Sequence, residues 1–324
     1  MINAAIVGLG RWGQTLVNSV QGKSDKIKFT AGVTRTVSKA ADYARDKGFP
    51  LGDDYDAVLR DKSIQAIVLA TPHSQHADQI KAAAKAKKHV FVEKPFTLDK
   101  KSAEASVKAM ERAKRVLALG HNRRFLPAWS KMKGMIDDGS VGTVTHVEAN
   151  YSGNGAFRFP KDGWRADRNE SPAGGMGGTG IHMVDTFIGM FGRIKSVYCI
   201  SKHLVAPLPI DDTTVMLFEF ESGMTGYLAS NAGTVQTWRI EAFGTKATVE
   251  IDDHRKFVVR PQEGQTQIAD LGAFDMERAE LESFADACEG RGTYPLPNDQ
   301  AIHGVAVFEA IMKSAATRKT VMVK

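Results

Sequence analysis

Two side chains in this sequence are well suited to exchanging a proton with a bound molecule. Lys94 follows the short apolar run at residues 90–92 and precedes Pro95. His182 follows a segment with five glycines in seven residues. A lysine of lowered pKa or a histidine near neutrality can accept a proton from a substrate hydroxyl. Both residues are therefore candidates for acid–base chemistry.

A glycine-rich motif lies near the start of the chain, Gly8-Leu9-Gly10-Arg11-Trp12-Gly13. It fits the pattern G-x-G-x-x-G, and it follows a predicted strand and opens a predicted helix within a βαβ unit, as a dinucleotide-binding turn requires. Glycines there permit the tight turn and let backbone N–H groups approach a pyrophosphate. We predict that all six residues bind the cofactor.

The segment after the second predicted strand indicates which dinucleotide is bound. An NAD site usually places Asp or Glu there to bind the ribose 2′-OH. This segment has no carboxylate and instead carries Thr34, Arg35, Thr36 and Ser38. A guanidinium with neighbouring hydroxyls suits a 2′-phosphate, so NADP is predicted. The alternative is a solvated Arg35 and an enzyme that also accepts NAD.

Two further turns are predicted to border the cofactor. Thr71 and Pro72 would form a stiff turn after one strand, and His76 lies in the first turn of the next helix. Glu93 and Lys94 end the following strand, and the bond to Pro95 is a candidate for a cis peptide. A structural cap is the alternative for His76. No acidic or cysteine partner stands nearby, so we expect no metal.

The predicted helices and strands that position these residues follow one pattern in the first part of the chain and another in the second. Up to about residue 120, short apolar runs alternate with amphipathic stretches, which favours a parallel sheet covered on both faces. Beyond it, successive strands joined by short turns favour a mostly antiparallel sheet. We predict an α/β protein with an N-terminal Rossmann domain, a doubly wound parallel sheet, at residues 1–121. Residues 122–324 form a C-terminal α/β domain on a large, mostly antiparallel open sheet.

Composition supports this division and excludes some partners. A chain of 324 residues with 43% apolar residues usually forms more than one core. The net charge of +6 is mild, so nucleic acid is not expected as a partner. No apolar run reaches 18 residues, and the chain opens directly into a strand, so we expect a cytoplasmic protein without membrane contact. Cys199 and Cys288 offer neither a disulfide framework nor metal-ligand spacing.

Several motifs together resemble the Gfo/Idh/MocA family of oxidoreductases. They are the glycine-rich turn at residues 8–13, Thr71-Pro72, Glu93-Lys94-Pro95, Asn122-Arg123-Arg124-Phe125, Trp164-Arg165, the glycine run that leads to His182 and Asp185, and Phe243-Gly244-Thr245-Lys246-Ala247. The resemblance implies hydride transfer between a nicotinamide and a carbinol or carbonyl carbon of sugars, inositols or related molecules. It also implies Lys94 and His182 as catalytic residues, and a homodimer or homotetramer formed through the C-terminal sheet.

One departure from the family pattern concerns the turn before His182. Many dehydrogenases of the family carry Asp four residues before that histidine, and this chain has Gly178. The predicted function is an NADP(H)-dependent oxidoreductase of a sugar-like or cyclic polyol substrate. The alternatives are a non-catalytic NAD(P)-binding regulator and a reductase of a non-sugar imine or enone. The predicted substrate-binding residues are His121, Arg123, Arg124, Tyr151, Trp164, Arg165, Thr179 and Asp185.

Overall fold

The computed structural model describes residues 1–158, 160, 163, 166, 167, 170, 171 and 173–324. The chain divides into two compact units. The first unit contains Met1–Asn122 and Asp275–Ile302, and the second contains Arg123–Phe274 and His303–Lys324. The single boundary predicted after residue 121 therefore differs from this division, because a later segment returns to the first unit.

The first unit is built on a six-stranded sheet in which every described pair of neighbouring strands is parallel. The strand order is β3-β2-β1-β4-β5-β6, so the order reverses beside β1. This confirms the predicted Rossmann arrangement. The strands are β1 (Ile2–Val7), β2 (Ile27–Val33), β3 (Leu51–Gly52), β4 (Ala66–Leu69), β5 (His89–Glu93) and β6 (Leu117–Gly120). The helices are α1 (Arg11–Val20), α2 (Ala41–Asp46), α3 (Tyr55–Arg60), α4 (His76–Lys85), α5 (Lys100–Ala113) and α8 (Met276–Cys288).

Burial explains why the strands of this sheet are recognisable in the sequence. All four residues of β4 are buried, and so are four of the five residues of β5. A parallel strand covered on both faces needs apolar side chains on both sides, which produces a continuous apolar run instead of alternation. The short elements β3 and α3 were not predicted, because two and six residues carry too little periodic signal.

Helix α8 belongs to the core of the first unit, which corrects its predicted place in the second domain. Its buried residues Leu281, Phe284 and Ala285 join the cluster that contains Phe91 of β5. The rings of Phe284 and Phe91 meet edge to face, with centroids 5.8 Å apart. The sequence shows that this helix has an apolar face, but it does not show which core that face packs against.

The second unit is built on a nine-stranded sheet with the order β14-β13-β12-β11-β7-β10-β9-β8-β15. Its described neighbouring pairs are antiparallel except β7 with β10, which confirms a large, mostly antiparallel sheet. The strands are β7 (Val144–Ser152), β8 (Ile194–Lys202), β9 (Thr213–Phe220), β10 (Thr225–Asn231), β11 (Thr237–Gly244), β12 (Ala247–Asp252), β13 (Lys256–Pro261), β14 (Gln267–Asp270) and β15 (Val321–Met322). The helices α6 (Pro127–Asp137) and α7 (Gly180–Phe191) belong to this unit, and the division between the units falls within α9 (Asn298–Thr317).

Helix α7 covers one face of this sheet through aromatic contacts. The ring of Phe187 lies 5.8 Å from that of Phe218 and 6.1 Å from that of Phe220. Ten of its twelve residues are buried, so the helix that carries His182 is held firmly on the sheet. Across the described ranges of the chain, no helix combines the length and the apolar character that crossing a membrane requires.

Candidate functional site

The protein packs tightly against Gly8 and Gly13 of the glycine-rich turn, but it leaves space at Gly10. Gly8 has φ +95°, and a Cβ there would come 2.5 Å from the carbonyl oxygen of Ala70. A Cβ on Gly13 would overlap the carbonyl oxygen of Gly8, whereas one on Gly10 would meet no atom of the described residues within 4 Å. Gly10 is the residue before α1, so this space lies at a helix N-terminus, beside the strand where the order reverses. This is a place that suits a phosphate group of a dinucleotide.

The segment after β2 presents the residues predicted to select the cofactor. Thr34 is half-buried, and its backbone N–H donates to the carbonyl oxygen of Gly52 at 2.9 Å. Arg35, Thr36 and Ser38 are exposed. The guanidinium and the two hydroxyls are therefore available to a ligand at the carboxyl end of β2.

His76 links the turn after β4 to the turn after β5. It is fully buried, with Nδ1 3.0 Å from the carbonyl oxygen of Pro95 and Nε2 3.1 Å from that of Thr71. A carbonyl oxygen only accepts and a neutral imidazole carries one N–H, so the tautomer decides which of the two carbonyls receives the hydrogen bond. This is a structural role, and it fixes the spacing of two turns that were predicted to border the cofactor.

Lys94 stands at the end of β5, as the sequence predicts, and the Lys94–Pro95 peptide bond is cis. Its side chain is half-buried, whereas Glu93 is only 5% exposed. Burial raises the pKa of Glu93 to about 7, while the neighbouring Lys94 ammonium lowers it. A carboxyl group that titrates near neutrality therefore adjoins the lysine predicted to be catalytic.

The end of β6 brings two more polar residues to the same edge of the sheet. His121 is buried, and its backbone N–H donates to the carbonyl oxygen of Leu119 at 2.8 Å. Asn122 donates to Oε1 of Glu277, on α8, at 2.9 Å. Glu277 was not predicted for this region, because 155 residues separate it from Asn122.

In the second unit the glycine run shapes the start of α7. Gly174 has φ +59°, and a Cβ there would overlap the carbonyl oxygen of Asp211. Thr179 precedes the helix; its Oγ1 donates to the carbonyl oxygen of Gly175 at 2.9 Å and lies 2.9 Å from Oγ of Ser230. These contacts hold the first turn of α7 in place, and His182 lies in that turn with 3% exposure.

Tyr151 and Arg123 extend this region across the covered face of the sheet. The Tyr151 and His182 rings lie 6.0 Å apart. Nη2 of Arg123 donates to the Tyr151 hydroxyl at 2.7 Å, and its guanidinium lies 5.3 Å from the centroid of the same ring. The structure thus brings together three residues that the sequence predicted for the site.

Two further residues of this cluster were not singled out from the sequence. Trp238 is paired with Tyr151 in the register of β11 and β7, and its ring lies 4.4 Å from that of His254. Burial lowers the pKa of His254 to about 4, and the charge of Arg123 lowers it further. His254 is therefore neutral at physiological pH. Only the pairing of strands that are distant in sequence reveals these neighbours.

Arg124 and Asp185 form a buried ion pair with two hydrogen bonds. Nε donates to Oδ2 and Nη2 to Oδ1, both at 2.9 Å, and the two side chains are 4% and 6% exposed. Both were predicted to bind substrate, but here they bind each other. Of the two adjacent arginines, Arg123 contacts Tyr151, and Arg124 fixes the middle of α7.

The described surroundings of Gly178 leave room for a Cβ. Its φ is −83°, and a Cβ would lie 3.5 Å from the carbonyl oxygen of Gly175, an ordinary contact. The backbone conformation at position 178 therefore does not require glycine. Trp164 and Arg165 lie outside the described residues.

Comparison with known proteins agrees with this architecture. A model described as "Oxidoreductase family, NAD-binding Rossmann fold" matches residues 2–121, and the "GFO/IDH/MocA C-terminal domain" matches residues 129–250. An inositol 2-dehydrogenase of Rhizobium meliloti is 26% identical over 99% of either chain. The oxidoreductase YrbE of Bacillus subtilis, which is uncharacterised, is 27% identical over 97% of this chain and 94% of its own. A levoglucosan dehydrogenase in complex with NADH and L-sorbose, 20% identical, covers 100% of this chain and 99% of its own with a TM-score of 0.91, which shows a shared fold.

The pair of Arg124 with Asp185 can be tested by removing the cation. Arg124→Met withdraws the guanidinium from a buried carboxylate and should lower the free energy of unfolding by about 3–5 kcal/mol. Arg193→Met is the matched control, because its pair with Glu221 is half exposed at 50% and 58%; it should cost about 0–1 kcal/mol. Urea denaturation measures both, and equal small losses would contradict a bracing role for Arg124.

Proposed function

The chain belongs to the Gfo/Idh/MocA family of oxidoreductases, and on that premise we propose that it is a cytoplasmic, NADP(H)-dependent oxidoreductase of a sugar-like or cyclic polyol substrate. The observation that carries the proposal is the turn at residues 8–13, where the protein packs against Gly8 but leaves space at Gly10. This turn lies at the same edge of the sheet as Lys94. The similarity to an inositol 2-dehydrogenase over nearly the whole chain supports the substrate class.

The residues of each unit have separate tasks in this reaction. The turn at residues 8–13 would hold a bound NADP⁺, which would supply the hydride acceptor for the substrate carbon. Lys94 or His182 accepts the proton of the hydroxyl, and the other holds the oxygen and stabilises its developing charge. Tyr151 and Arg123, which contact each other beside His182, are proposed to bind the hydroxyl groups of the substrate.

Gly178 favours one alternative, a regulator that binds the dinucleotide without catalysis. Position 178, four residues before His182, lacks a carboxylate although a Cβ there would make only an ordinary contact with a described residue. Loss of a positioned acid–base group costs about 10²–10⁴-fold in rate, so the missing side chain matters unless another group replaces it. A turnover measurement separates the two functions.

Catalysis can be tested with NADPH and keto-sugars, or NADP⁺ and polyols, by following nicotinamide absorbance. The wild type should turn over at least one substrate of such a panel. Lys94→Ala and His182→Ala should still bind NADPH, measured by fluorescence, but lose about 10²–10⁴-fold in kcat because proton transfer is lost. Lys101→Ala, at an exposed lysine, is the control. Full activity in both variants would overturn the assignment, and NADPH binding by a wild type without turnover would favour the regulator.

Selection of NADP rests on Arg35 with Thr36 and Ser38, and on the absence of a carboxylate from the segment that follows β2 at residues 34–39. A guanidinium forms charge-assisted hydrogen bonds with a phosphate group, which a ribose hydroxyl does not reproduce. NAD is the alternative, because the matching family model describes an NAD-binding fold.

Cofactor choice can be tested by measuring Kd for NADPH and NADH. Arg35→Ala should raise the Kd for NADPH by about 10- to 100-fold, because the charged bonds to the 2′-phosphate are lost, and leave that for NADH nearly unchanged. Lys39→Ala, which removes another exposed cation from the same region, should change neither by more than about twofold. An equal loss for both dinucleotides would argue against a 2′-phosphate site at Arg35.

We also propose that two or four copies assemble through the outer face of the nine-stranded sheet. The strand registers place apolar residues side by side on this face, on the side opposite Phe218 and α7. Leu217 is 56% exposed there. An apolar patch rimmed by charge is typical of a protein–protein interface. The patch contains Tyr198, Ile200, Val215, Leu217 and Tyr227, and the charged rim contains Glu148, Arg239, Glu241, Glu250 and Arg260.

Assembly can be tested by placing a charge in the patch. Leu217→Lys should shift the protein to a smaller species in analytical ultracentrifugation, because the interface would have to bury an ammonium group. Val235→Lys is the control, since this residue is 78% exposed between β10 and β11, away from the patch. An unchanged mass for Leu217→Lys would exclude this face as the interface.

A further inference from the structure

Glu93 occupies a closed position between the ends of two parallel strands. Its carboxylate lies against Gly120 at the end of β6, where a Cβ would come 2.9 Å from Oε1. The backbone N–H of Lys94 donates to Oε2 at 3.3 Å. With 5% exposure, this side chain is enclosed by the protein. Glu93 was predicted to bind the cofactor, and its enclosed position beside Lys94 supports an indirect role.

Trp12 connects this carboxylate to the glycine-rich turn. Its indole N–H faces Glu93 and lowers the pKa of the carboxyl. Among the described residues, however, neither the indole nitrogen nor Oε1 of Glu93 meets the geometry of a full hydrogen bond. Both atoms are buried, and leaving buried polar groups unbonded is costly. A hydrogen bond between the indole N–H and this carboxylate would satisfy both atoms.

Among the described residues, the charges that act on Glu93 come from two elements. Lys94 follows it on β5 and lowers its pKa, whereas Glu277 on α8 raises it. Within the described part of the chain, the other contacts discussed above, Trp12 of α1 and Gly120 of β6, carry no charge. Burial is the largest effect, and the resulting pKa of about 7 leaves Glu93 part protonated at neutral pH.

We propose that Glu93 is a positioning residue that sets the protonation balance of Lys94 and couples it, through Trp12, to occupation of the glycine-rich turn. The inference rests on the proposed function, in which Lys94 exchanges a proton with substrate. Electrostatic coupling is reciprocal, so an ionised Glu93 favours the ammonium form of Lys94 and a protonated Glu93 favours the free amine. A ligand that moves Trp12 toward Glu93 stabilises the carboxylate and thereby the ammonium.

The coupling can be measured without turnover by infrared difference titration of the full-length protein. The carboxylic acid C=O band of Glu93 should disappear with a midpoint near pH 7 and be missing from Glu93→Gln. Lys94→Ala should raise the midpoint, because an opposite charge is removed, and Glu277→Gln should lower it, because a like charge is removed. A midpoint that neither variant moves overturns the proposal.

The role of Trp12 is tested by adding NADPH during the same titration. NADPH should lower the midpoint in the wild type but not in Trp12→Phe, which keeps the ring and loses the N–H. Trp129→Phe is the matched control, a second tryptophan with a buried indole nitrogen, located on α6. It should respond as the wild type does, and an equal NADPH response in Trp12→Phe would overturn the coupling through Trp12.

Turnover provides the last test and separates this inference from the proposed function. Glu93→Gln keeps the size of the side chain but removes its charge, so it should still bind NADPH, with a Kd raised only by the factor that corresponds to the midpoint shift caused by NADPH. It should lose about tenfold in kcat and lack the inflection of the kcat–pH profile near pH 7. A profile identical to that of the wild type overturns the positioning role. If the wild type shows no turnover, the proposed function fails, and the infrared midpoints still decide whether Glu93 and Lys94 are coupled.

Discussion

The parallel pairing of six strands is the constraint on which the cofactor side of this protein depends. Strands that run in one direction all end at one edge of the sheet, so the residues that follow them are neighbours without being close in sequence. The glycine-rich turn follows β1, Arg35 follows β2, Thr71 follows β4 and Lys94 follows β5. Parallel strands need cover on both faces, and the complete burial of β4 shows how that requirement is met.

The second unit positions its polar residues by different means. The glycine run lets the backbone pass against the carbonyl group of Asp211, which any side chain at Gly174 would prevent. The ion pair of Arg124 with Asp185 then fixes α7 from within. A buried pair contributes little net stability, but losing one partner is expensive, so such a pair selects one arrangement of the helix. His182 and Tyr151 depend on that arrangement for their mutual distance.

Much of the fold could be predicted from local patterns in the sequence. Continuous apolar runs predicted the parallel strands, and the change to closely spaced strands predicted the antiparallel sheet. The glycine turn and Lys94 at a strand end followed from motifs with a required context. Local patterns do not specify the partners of an element, however. For that reason the packing of α8 against Phe91 was missed.

The contacts between site residues could not be predicted from the sequence for the same physical reason. Arg124 and Asp185 were recognised as polar residues of interest, but a sequence does not show that each neutralises the other at a separation of 61 residues. Trp238 lies beside Tyr151 only through strand pairing across the sheet, and His254 in turn lies beside Trp238. The pKa of Glu93 depends on its burial, on Trp12 of α1 and on Glu277 of α8, and its carboxylate lies against Gly120 of β6. Each of these facts is a property of long-range contacts.

The return of α8 to the first unit has a consequence for biosynthesis on the ribosome. The six parallel strands emerge within the first 120 residues, yet Leu281 and Phe284 fill the same core and are translated more than 150 residues later. During that interval the nascent first unit exposes an apolar surface that its own chain does not yet cover. Chaperones that bind such surfaces would engage this polypeptide until α8 emerges from the exit tunnel.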